Sequence, residues 1–135
     1  MNYQRLFSPW TLGGVPLRNR LGHAAILTHF ARGGKVTPEL LNYLGSRAAG
    51  GAGLVVMEPM ALLAHAPPGN RVHAFADRHL PELVKLAEAV EQHDSRLIAQ
   101  VQDPGRGRHE IGRNDSAIGV SALPDELSWT VPHVL

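Results

Sequence analysis

Gln100 is the residue whose type and position point most directly to chemistry, because it is a side-chain amide in the otherwise apolar segment LIAQVQ at positions 97–102. An amide offers one acceptor and two donors, and a buried amide needs partners for them. A planar heterocycle with adjacent N–H and C=O groups, such as the pyrimidine edge of a flavin, would satisfy both kinds of group at once. The alternative is a core amide bonded to the backbone.

Acidic and histidine residues give weaker candidates. Glu58 follows the apolar run Leu54–Met57 and is either an acid or base at a strand end or a structural carboxylate. His23 and His29 flank the end of a predicted first strand, where a packing or surface role competes with catalysis. The chain has eight histidines and no cysteine, and no pair is spaced as HxH or HExxH. No metal site is therefore predicted.

Basic and glycine-rich segments are weaker candidates for phosphate or nucleic-acid sites. The run GGAG at positions 50–53 follows a predicted helix and opens a strand, which is the reverse of a phosphate loop. Arg106, Arg108 and Arg113 could hold a phosphate or RNA, but no aromatic residue is interleaved with them for base stacking. With a net charge of +1, the chain is predicted to bind no nucleic acid.

The elements that would position these residues alternate between strands and helices. A hairpin over Leu6–Arg20 turns at Gly13-Gly14. Apolar runs predict strands over Leu21–Thr28, Leu54–Met57 and Leu97–Gln102, each buried in a parallel sheet. Thr37 is expected to cap one helix ending near Ala49, and Asp77 a second ending near His93. Residues 61–76 and everything after Gln102 are predicted to be loop.

A hairpin followed by β-α-β-α-β is typical of an α/β fold with right-handed crossovers. An eight-fold (β/α) barrel needs about 250 residues, so these 135 residues supply about three of its βα units. We therefore predict a partial (β/α)8 TIM barrel whose open strand edges need another chain or the missing residues to cover them. No apolar run reaches membrane-spanning length and no leader pattern is present, which predicts a cytoplasmic protein without membrane contact.

Several short motifs occur together in one order along the chain. They are FSP at 7–9, LGG at 12–14, LRNR at 17–20, RAAGGAGL at 47–54, Gln100 and Gly105-Arg106. With these motifs the chain resembles the N-terminal part of the Old Yellow Enzyme family of NADH:flavin oxidoreductases, in register over essentially all 135 residues. The closing stretch, Ala117–Leu135, looks more like the longer branch related to 2,4-dienoyl-CoA reductase, trimethylamine dehydrogenase and N-methylproline demethylase.

The resemblance implies an FMN-binding TIM barrel in which hydride passes from NAD(P)H, or from an amine substrate, to the flavin and then to an acceptor. Gln100 would bond the pyrimidine edge of the flavin, and Arg106 would lie in the loop that follows. The backbone at the ends of strands one and two would lie along the ring. By match to the family pattern, the residues that do so are Ala25, Ile26, Leu27, Pro59 and Met60.

Departures from the family pattern also carry information. Leu27 stands where members commonly have a Thr or Cys, which excludes a thioether-linked flavin there. The neighbouring Thr28 would supply the hydrogen bond only after a register shift. Proline is common where Ala25 stands. Asp103 stands where histidine is common, and we expect it to contact a cationic substrate.

The second half of the barrel, which in the family carries the catalytic pair and the FMN phosphate loops, would lie beyond Leu135. The catalytic residues are therefore unknown. The iron–sulfur cluster and FAD of the long members would also belong to a longer parent chain, and this chain alone is expected to be inactive. Its partner would be the missing barrel half or another chain. The rival hypotheses are a non-catalytic α/β module that oligomerises through its open edges and a phosphate-binding barrel fragment without flavin.

Overall fold

The computed structural model describes residues 3–64, 69–103, 105–106 and 112–135. Within these ranges the chain forms nine short strands and two α-helices, together with a 3-10 turn at Asp77–His79. The elements in chain order are β1 (Trp10–Leu12), β2 (Val15–Leu17), β3 (Gly22–His23), α1 (Pro38–Ala49), β4 (Leu54–Val56), β5 (Met60–Ala61), α2 (Leu80–Glu91), β6 (Arg96–Ile98), β7 (Val101–Gln102), β8 (Gly112–Gly119) and β9 (Thr130–Val134).

The N-terminal hairpin is confirmed. Strands β1 and β2 pair antiparallel across Gly13 and Gly14, whose φ angles of 54° and 86° lie in the left-handed region that glycine tolerates. Hairpin residues Leu12 and Leu17 line a cavity of about 360 Å³ together with Leu54 and Arg96, which begin β4 and β6. The hairpin therefore covers the amino-terminal ends of the parallel strands.

Helix α1 forms as the sequence predicts. The Thr37 hydroxyl accepts a hydrogen bond from the Leu40 amide at 3.3 Å, and proline occupies the first helical position. Leu40, Leu44 and Ala48 are buried at helical spacing and pack toward the sheet. The helix ends at Ala49, as expected.

Helix α2 begins differently from the prediction. Asp77 does not cap it, because Asp77 lies inside the 3-10 turn, whose own N-cap residue is Ala76. The helix proper starts three residues later, where no side chain makes a capping bond and proline again lies in the first turn. Leu86 and Val90 are its buried residues. The predicted end near His93 agrees within two residues with the observed end at Glu91.

The central sheet is parallel, with strand order β3-β4-β6, as the α/β pattern predicts. Val55 pairs with His23 on one side and Leu97 on the other. The first predicted strand is shorter than expected, because the ladder covers only Gly22–His23 and the Thr28 amide bonds a side chain of the neighbouring strand instead. One face of the sheet packs on α1 and α2, with Val55 fully buried.

The other two strands of the central sheet, β4 and β6, are interrupted at the same level of the sheet. Glu58-Pro59 interrupts β4 before β5, and Ala99-Gln100 interrupts β6 before β7, so the predicted strand at positions 97–102 is two short strands. Strands β5 and β7 pair parallel beyond the break, where the Met60 amide donates to the Gln100 carbonyl at 2.8 Å. Proline lacks the amide hydrogen that a continuous ladder would need.

The prediction that everything after Gln102 is loop is wrong. Strands β8 and β9 form a separate parallel pair with a register shift between Asn114 and Ile118. The polar, glycine-containing sequence at 112–119 has low β-propensity, so the backbone pairing of the two segments outweighs local preference. Part of the predicted loop at 61–76 is also paired, since Ala61 belongs to β5 and bridges His73. Pro67, Pro68 and Arg108 lie outside the described residues.

Two of the family motifs contact each other directly. One amino group of Arg18 donates to the carbonyls of Ala48 and Ala52, at 2.6 and 3.1 Å, and so satisfies carbonyls at the end of α1. The Asn19 amide donates to the Gly51 carbonyl at 2.8 Å. A Cβ at Gly53 would lie 2.6 Å from the Asn19 side-chain oxygen, so glycine is required there. The motifs thus join the hairpin to the α1–β4 turn.

Candidate functional site

The segments after β3, β4 and β6 meet at one edge of the sheet, because all three strands are parallel and in register. This carboxyl edge is where α/β proteins usually place their ligands. Ile26 and Leu27 are 54% and 39% exposed there, and Ile98 at the end of β6 is 40% exposed. Ala25 and Pro59 are half-buried. An apolar surface therefore lies next to the edge.

Gln100 lies at this edge in the gap between β6 and β7, and its side chain is exposed. Its carbonyl accepts the Met60 amide, so the main chain at this position is fixed while the side-chain amide faces outward. The alternative that Gln100 is a core amide is therefore wrong. Met60 is only 3% exposed and packs in the core, so a ligand at the edge can meet only its backbone.

Glu58 is the buried charged group of the site, with 1% exposure. Its Oε2 atom accepts hydrogen bonds from the Thr28 amide at 2.5 Å and from the Thr28 hydroxyl at 2.6 Å. The Thr28 hydroxyl in turn accepts the Phe30 amide at 3.2 Å. Because the hydroxyl proton goes to Glu58, Thr28 has no proton left to donate to a flavin carbonyl in place of Leu27.

The hydrogen bonds between the Glu58 carboxylate and Thr28 fix the shape of the segment after β3. Glu58 joins the end of β4 to Thr28, and the Phe30 carbonyl accepts the hydroxyl of Thr37, the α1 cap, at 2.8 Å. Sequence reasoning assigned Glu58 a possible acid–base role or a structural one without naming its partner. The structure shows that the partner is Thr28. The only feature of the sequence that pointed to Glu58 was an acid followed by proline at a strand end. The other carboxylate oxygen, Oε1, is buried with no hydrogen-bond partner among the described residues.

Polar side chains cross the loops that follow the strands. His29 has φ of 58°, an uncommon conformation for a residue other than glycine. Arg32 donates to the His29 carbonyl at 2.5 Å, and the His29 ring nitrogen Nδ1 lies 2.7 Å from the Asn70 amide nitrogen. Arg71 donates to the Gln102 side-chain oxygen at 2.5 Å. Of these five residues, only His29 was identified from the sequence as a candidate functional residue.

Asp103 and Arg106 have local partners in the loop after β7. The Asp103 carboxylate accepts the Gly105 amide at 2.5 Å, which forms a tight turn. Arg106 donates to the carbonyls of Leu123 and Pro124, at 3.4 and 3.2 Å, and so joins this loop to the segment between β8 and β9.

The rings of His73, Phe75 and His79 pack against one another. His79 contacts Phe75 and His73 edge-on, with ring centroids 4.6 and 5.5 Å apart. Burial lowers the pKa of His79, and the nearby Arg78 and His73 lower it further. Burial, followed by the charge of Arg47, lowers the pKa of His23.

His23 has a packing role in the structure, because its ring lies edge-on to the ring of Tyr43 with the ring centroids 5.8 Å apart. Within the described ranges, no three histidine, aspartate or glutamate side chains come together in a way that could hold a metal ion. Neither helix in those ranges is long and apolar enough to cross a bilayer.

Comparison with known proteins identifies the family. The sequence profile of the NADH:flavin oxidoreductase / NADH oxidase family matches residues 5–133. The chain belongs to this family, whose enzymes are FMN-dependent NAD(P)H oxidoreductases. The resemblance to the N-terminal part of Old Yellow Enzymes is confirmed.

Individual relatives support the family assignment. A metal reductase of Desulforamulus reducens is 31% identical over 127 residues, covering 94% of this chain and 19% of the relative. An NADPH dehydrogenase of Bacillus cytotoxicus is 33% identical over 135 residues, covering 98% of this chain and 38% of the relative. The solved structure of 2-naphthoyl-CoA reductase in complex with 2-naphthoyl-CoA superposes with a TM-score of 0.85 and 25% identity, covering 99% of this chain and 23% of that protein. The chain spans well under half the length of each.

Proposed function

We propose that residues 1–135 are the N-terminal portion of an FMN-dependent oxidoreductase with a TIM barrel, and that the flavin lies against the carboxyl edge of β3, β4 and β6. The observation that carries this proposal is the exposed Gln100 amide, whose main chain is fixed by the Met60 amide at the same carboxyl edge as the exposed side chains of Ile26 and Leu27. The family match and the small share of each relative that the chain covers support it.

The residues present fit a flavin. The Gln100 amide offers a donor and an acceptor to the pyrimidine edge. Ile26 and Leu27 offer exposed apolar surface to a planar ring, and the backbone of Ala25, Pro59 and Met60 borders the same edge. When bound, FMN would supply hydride transfer between NAD(P)H, or an amine substrate, and an acceptor.

This chain's own part in the reaction is to bind and orient. Gln100 would fix the in-plane orientation of the ring, and the Glu58–Thr28 pair would hold the segment beneath it. The FMN phosphate and the catalytic groups would be bound by residues beyond this chain, so the chain alone is inactive. The low coverage of the Desulforamulus relative favours a long parent protein, in which an iron–sulfur cluster and FAD would belong to later domains.

The test is a chimera in which this chain replaces the matching part of the Bacillus cytotoxicus NADPH dehydrogenase. Purified chimera is expected to contain bound FMN, measured by visible absorption and by flavin release on denaturation, and the isolated chain is expected to contain little. Substituting Gln100→Leu in the chimera removes one donor and one acceptor at the ring, so affinity for FMN should fall about tenfold to a hundredfold.

Gln92→Leu is the matched control, because Gln92 lies at the end of α2 and bonds the Ala89 carbonyl at an exposed position. A folded chimera that never binds FMN, or a Gln100→Leu chimera that binds FMN as tightly as the Gln92→Leu control, would refute the proposal.

The alternative is a non-catalytic module that oligomerises. It is favoured by the exposed apolar residues Ile26, Ile98 and Val101 at the open side of the sheet. Sedimentation equilibrium separates the two hypotheses. A stable oligomer of the isolated chain, together with a chimera that binds no flavin, would support the module.

A further inference from the structure

Three aromatic rings next to the start of α2 form a cluster that also contacts the loop after β3. We call His73, Phe75 and His79 the ring cluster. The His79 ring lies edge-on to the rings of Phe75 and His73, with centroids 4.6 and 5.5 Å apart. A Cβ on Gly34 would overlap the His73 imidazole, so this ring packs directly on the main chain of Gly34. The cluster therefore joins the turn before α2 to the loops after β3 and β5.

Main-chain hydrogen bonds join the same two loops next to the ring cluster. The His73 amide donates to the Gly34 carbonyl at 3.0 Å, and the Gly34 amide donates to the Gly69 carbonyl at 3.4 Å. Gly34 has a φ of 79°, in the left-handed region that glycine tolerates, and it has no side chain to keep the His73 ring away. The loop after β3 is therefore held on the loop after β5 by two main-chain bonds and one imidazole ring.

The ring cluster offers no acceptor for a second imidazole proton. The Nε2 atoms of His73 and His79 are both buried and have no hydrogen-bond partner among the described residues. In a protonated imidazole both ring nitrogens are donors, so a protonated His79 would bury a charged N–H group without an acceptor. Burying such a group costs free energy, which water would relieve if the ring moved out of the cluster. Protonation of His79 therefore opposes the packing of the cluster.

Burial is the largest of the effects that act on the His79 ring. It lowers the pKa of His79 below the ordinary value of about 6.5, and the charge of Arg78 and the neighbouring His73 lower it further. Glu82 on α2 raises the pKa of His79, but this is the smallest of the four effects. The packed cluster therefore favours neutral His79, in agreement with the buried nitrogen.

The other charged groups around the cluster do not pair with its histidines. The Glu82 carboxylate accepts the Lys85 ammonium at 2.7 Å and the Val36 amide at 2.8 Å, and the charge of Lys35 in the loop after β3 also acts on it. In the turn before α2, Arg78 lies over the Phe75 ring with its guanidinium carbon 5.3 Å from the ring centroid, and Asp77 is exposed. Within the described ranges, no carboxylate is bonded to His73 or His79.

We propose that the ring cluster is an acid-sensitive latch, which holds the loop after β3 on the loop after β5 while His79 is neutral and releases it when His79 takes up a proton. Both loops border the carboxyl edge, where the His29 ring nitrogen also contacts Asn70. An open latch exposes His79 to water, where its pKa is about 6.5. Between pH 7.5 and pH 5.5 the open population should therefore rise about threefold to tenfold.

Amide hydrogen exchange of the purified chain, followed by NMR, measures the opening of the latch. After correction for the intrinsic effect of pH on exchange, the His73 amide should exchange about threefold to tenfold faster at pH 5.5 than at pH 7.5. Local opening exposes little surface, so this rate should respond weakly to low concentrations of urea. The amide of Leu44, buried in α1, exchanges through larger unfolding and should respond strongly.

His79→Phe keeps an aromatic ring in the cluster and removes the group that titrates, so the corrected exchange rate of the His73 amide should become equal at the two pH values. His93→Phe makes the same substitution outside the cluster and should keep the wild-type response. Gly34→Ala is a second test, because its Cβ would displace the His73 ring and open the latch at both pH values. Gly33→Ala is its matched control, since Gly33 also has a positive φ, of 57°, but a Cβ there meets no atom of the described residues within 4 Å.

The proposal is overturned if the corrected exchange rate of the His73 amide is the same at both pH values in the wild-type chain, or if His79→Phe keeps the acid response. It is also overturned if the His73 and Leu44 amides depend on urea to the same extent, because the loops would then open only when the whole domain unfolds. A Gly34→Ala chain that exchanges no faster than Gly33→Ala would show that the His73 ring holds nothing. None of these measurements involves FMN, so they leave the proposed function untouched.

Discussion

Thr28→Val tests the buried link between the ends of β3 and β4. Valine matches threonine in shape but removes the hydroxyl that donates to Glu58 at 2.6 Å and accepts the Phe30 amide at 3.2 Å. Losing a hydrogen bond to a charged, buried carboxylate costs about 1.5–3 kcal/mol, and the longer amide bond adds about 0.5 kcal/mol. The free energy of unfolding should therefore fall by about 2–3.5 kcal/mol, a large part of the stability of a small domain.

Urea unfolding followed by circular dichroism measures this loss as a lower midpoint with an unchanged slope. Thr28→Ser keeps the hydroxyl and should retain most of the stability. Ser46→Ala removes an exposed serine hydroxyl bonded to the Asn42 carbonyl and should change stability by at most about 0.5 kcal/mol. If Thr28→Val unfolds at the same urea concentration as Ser46→Ala, the hydroxyl–carboxylate bond contributes nothing and the reasoning is wrong.

Three further changes have definite expectations. Gly53→Ala should lower the free energy of unfolding by about 1–3 kcal/mol in urea unfolding, since its Cβ would meet the Asn19 oxygen at 2.6 Å. Thr37→Ala should cost about 1 kcal/mol in the same assay, because it removes the α1 cap that accepts the Leu40 amide. The folded protein lowers the pKa of His79, so the unfolded state binds its proton first as pH falls below about 6.5. Stability should therefore decrease between pH 7.5 and pH 5.5, and His79→Gln should flatten this decrease in urea midpoints measured across that range.

Each of these changes has a control. Gly69→Ala places a methyl group where no atom of the described residues lies within 4 Å and should be neutral. His93→Gln makes the same substitution at a histidine outside the ring cluster and is the matched control for His79→Gln. Ser46→Ala serves again as the control for Thr37→Ala. A Gly53→Ala protein as stable as Gly69→Ala, or a His79→Gln protein with the full pH dependence, would contradict the packing and the pKa argument respectively.

The sequence predicted the elements whose local signals agree with their packing. Helix α1 has a cap, a first-turn proline and apolar residues at helical spacing, and each of these features is used in the structure. The hairpin turn at Gly13-Gly14 needs left-handed backbone, which only glycine adopts freely. Where residue type and tertiary environment favour the same conformation, the sequence alone is enough to predict the element.

The errors lie where distant contacts decide. The hydrogen bond from Met60 to Gln100 and the partner of each broken strand depend on two segments meeting, which no local pattern records. Strand β8 has a mainly polar sequence and β9 contains a proline, and the two form through their mutual pairing. Asp77 is a good capping residue in a 3-10 turn, so its type predicted a helix start at the wrong position.

The candidate site was predicted in part. Gln100 was identified by its chemistry, and its placement at the carboxyl edge agrees, but burial was assumed and the side chain is exposed. Thr28 was missed as the partner of Glu58, and Asn70 and Arg71 were missed as partners of His29 and Gln102. Arginine, asparagine and threonine in loops are ordinary surface residues until the fold brings them together. The role of the site residues toward flavin stays a prediction.

The bond between the Met60 amide and the Gln100 carbonyl separates the pairing of the sheet from the choice of side chain at position 100. Sheet pairing at this point is made by the main chain, so it does not depend on which side chain residue 100 carries. A different amino acid there would change the groups that the edge presents while leaving the pairing of β5 with β7 intact. Under the proposed function, a single substitution at this position therefore changes the ligand contacts of the edge with little penalty in folding.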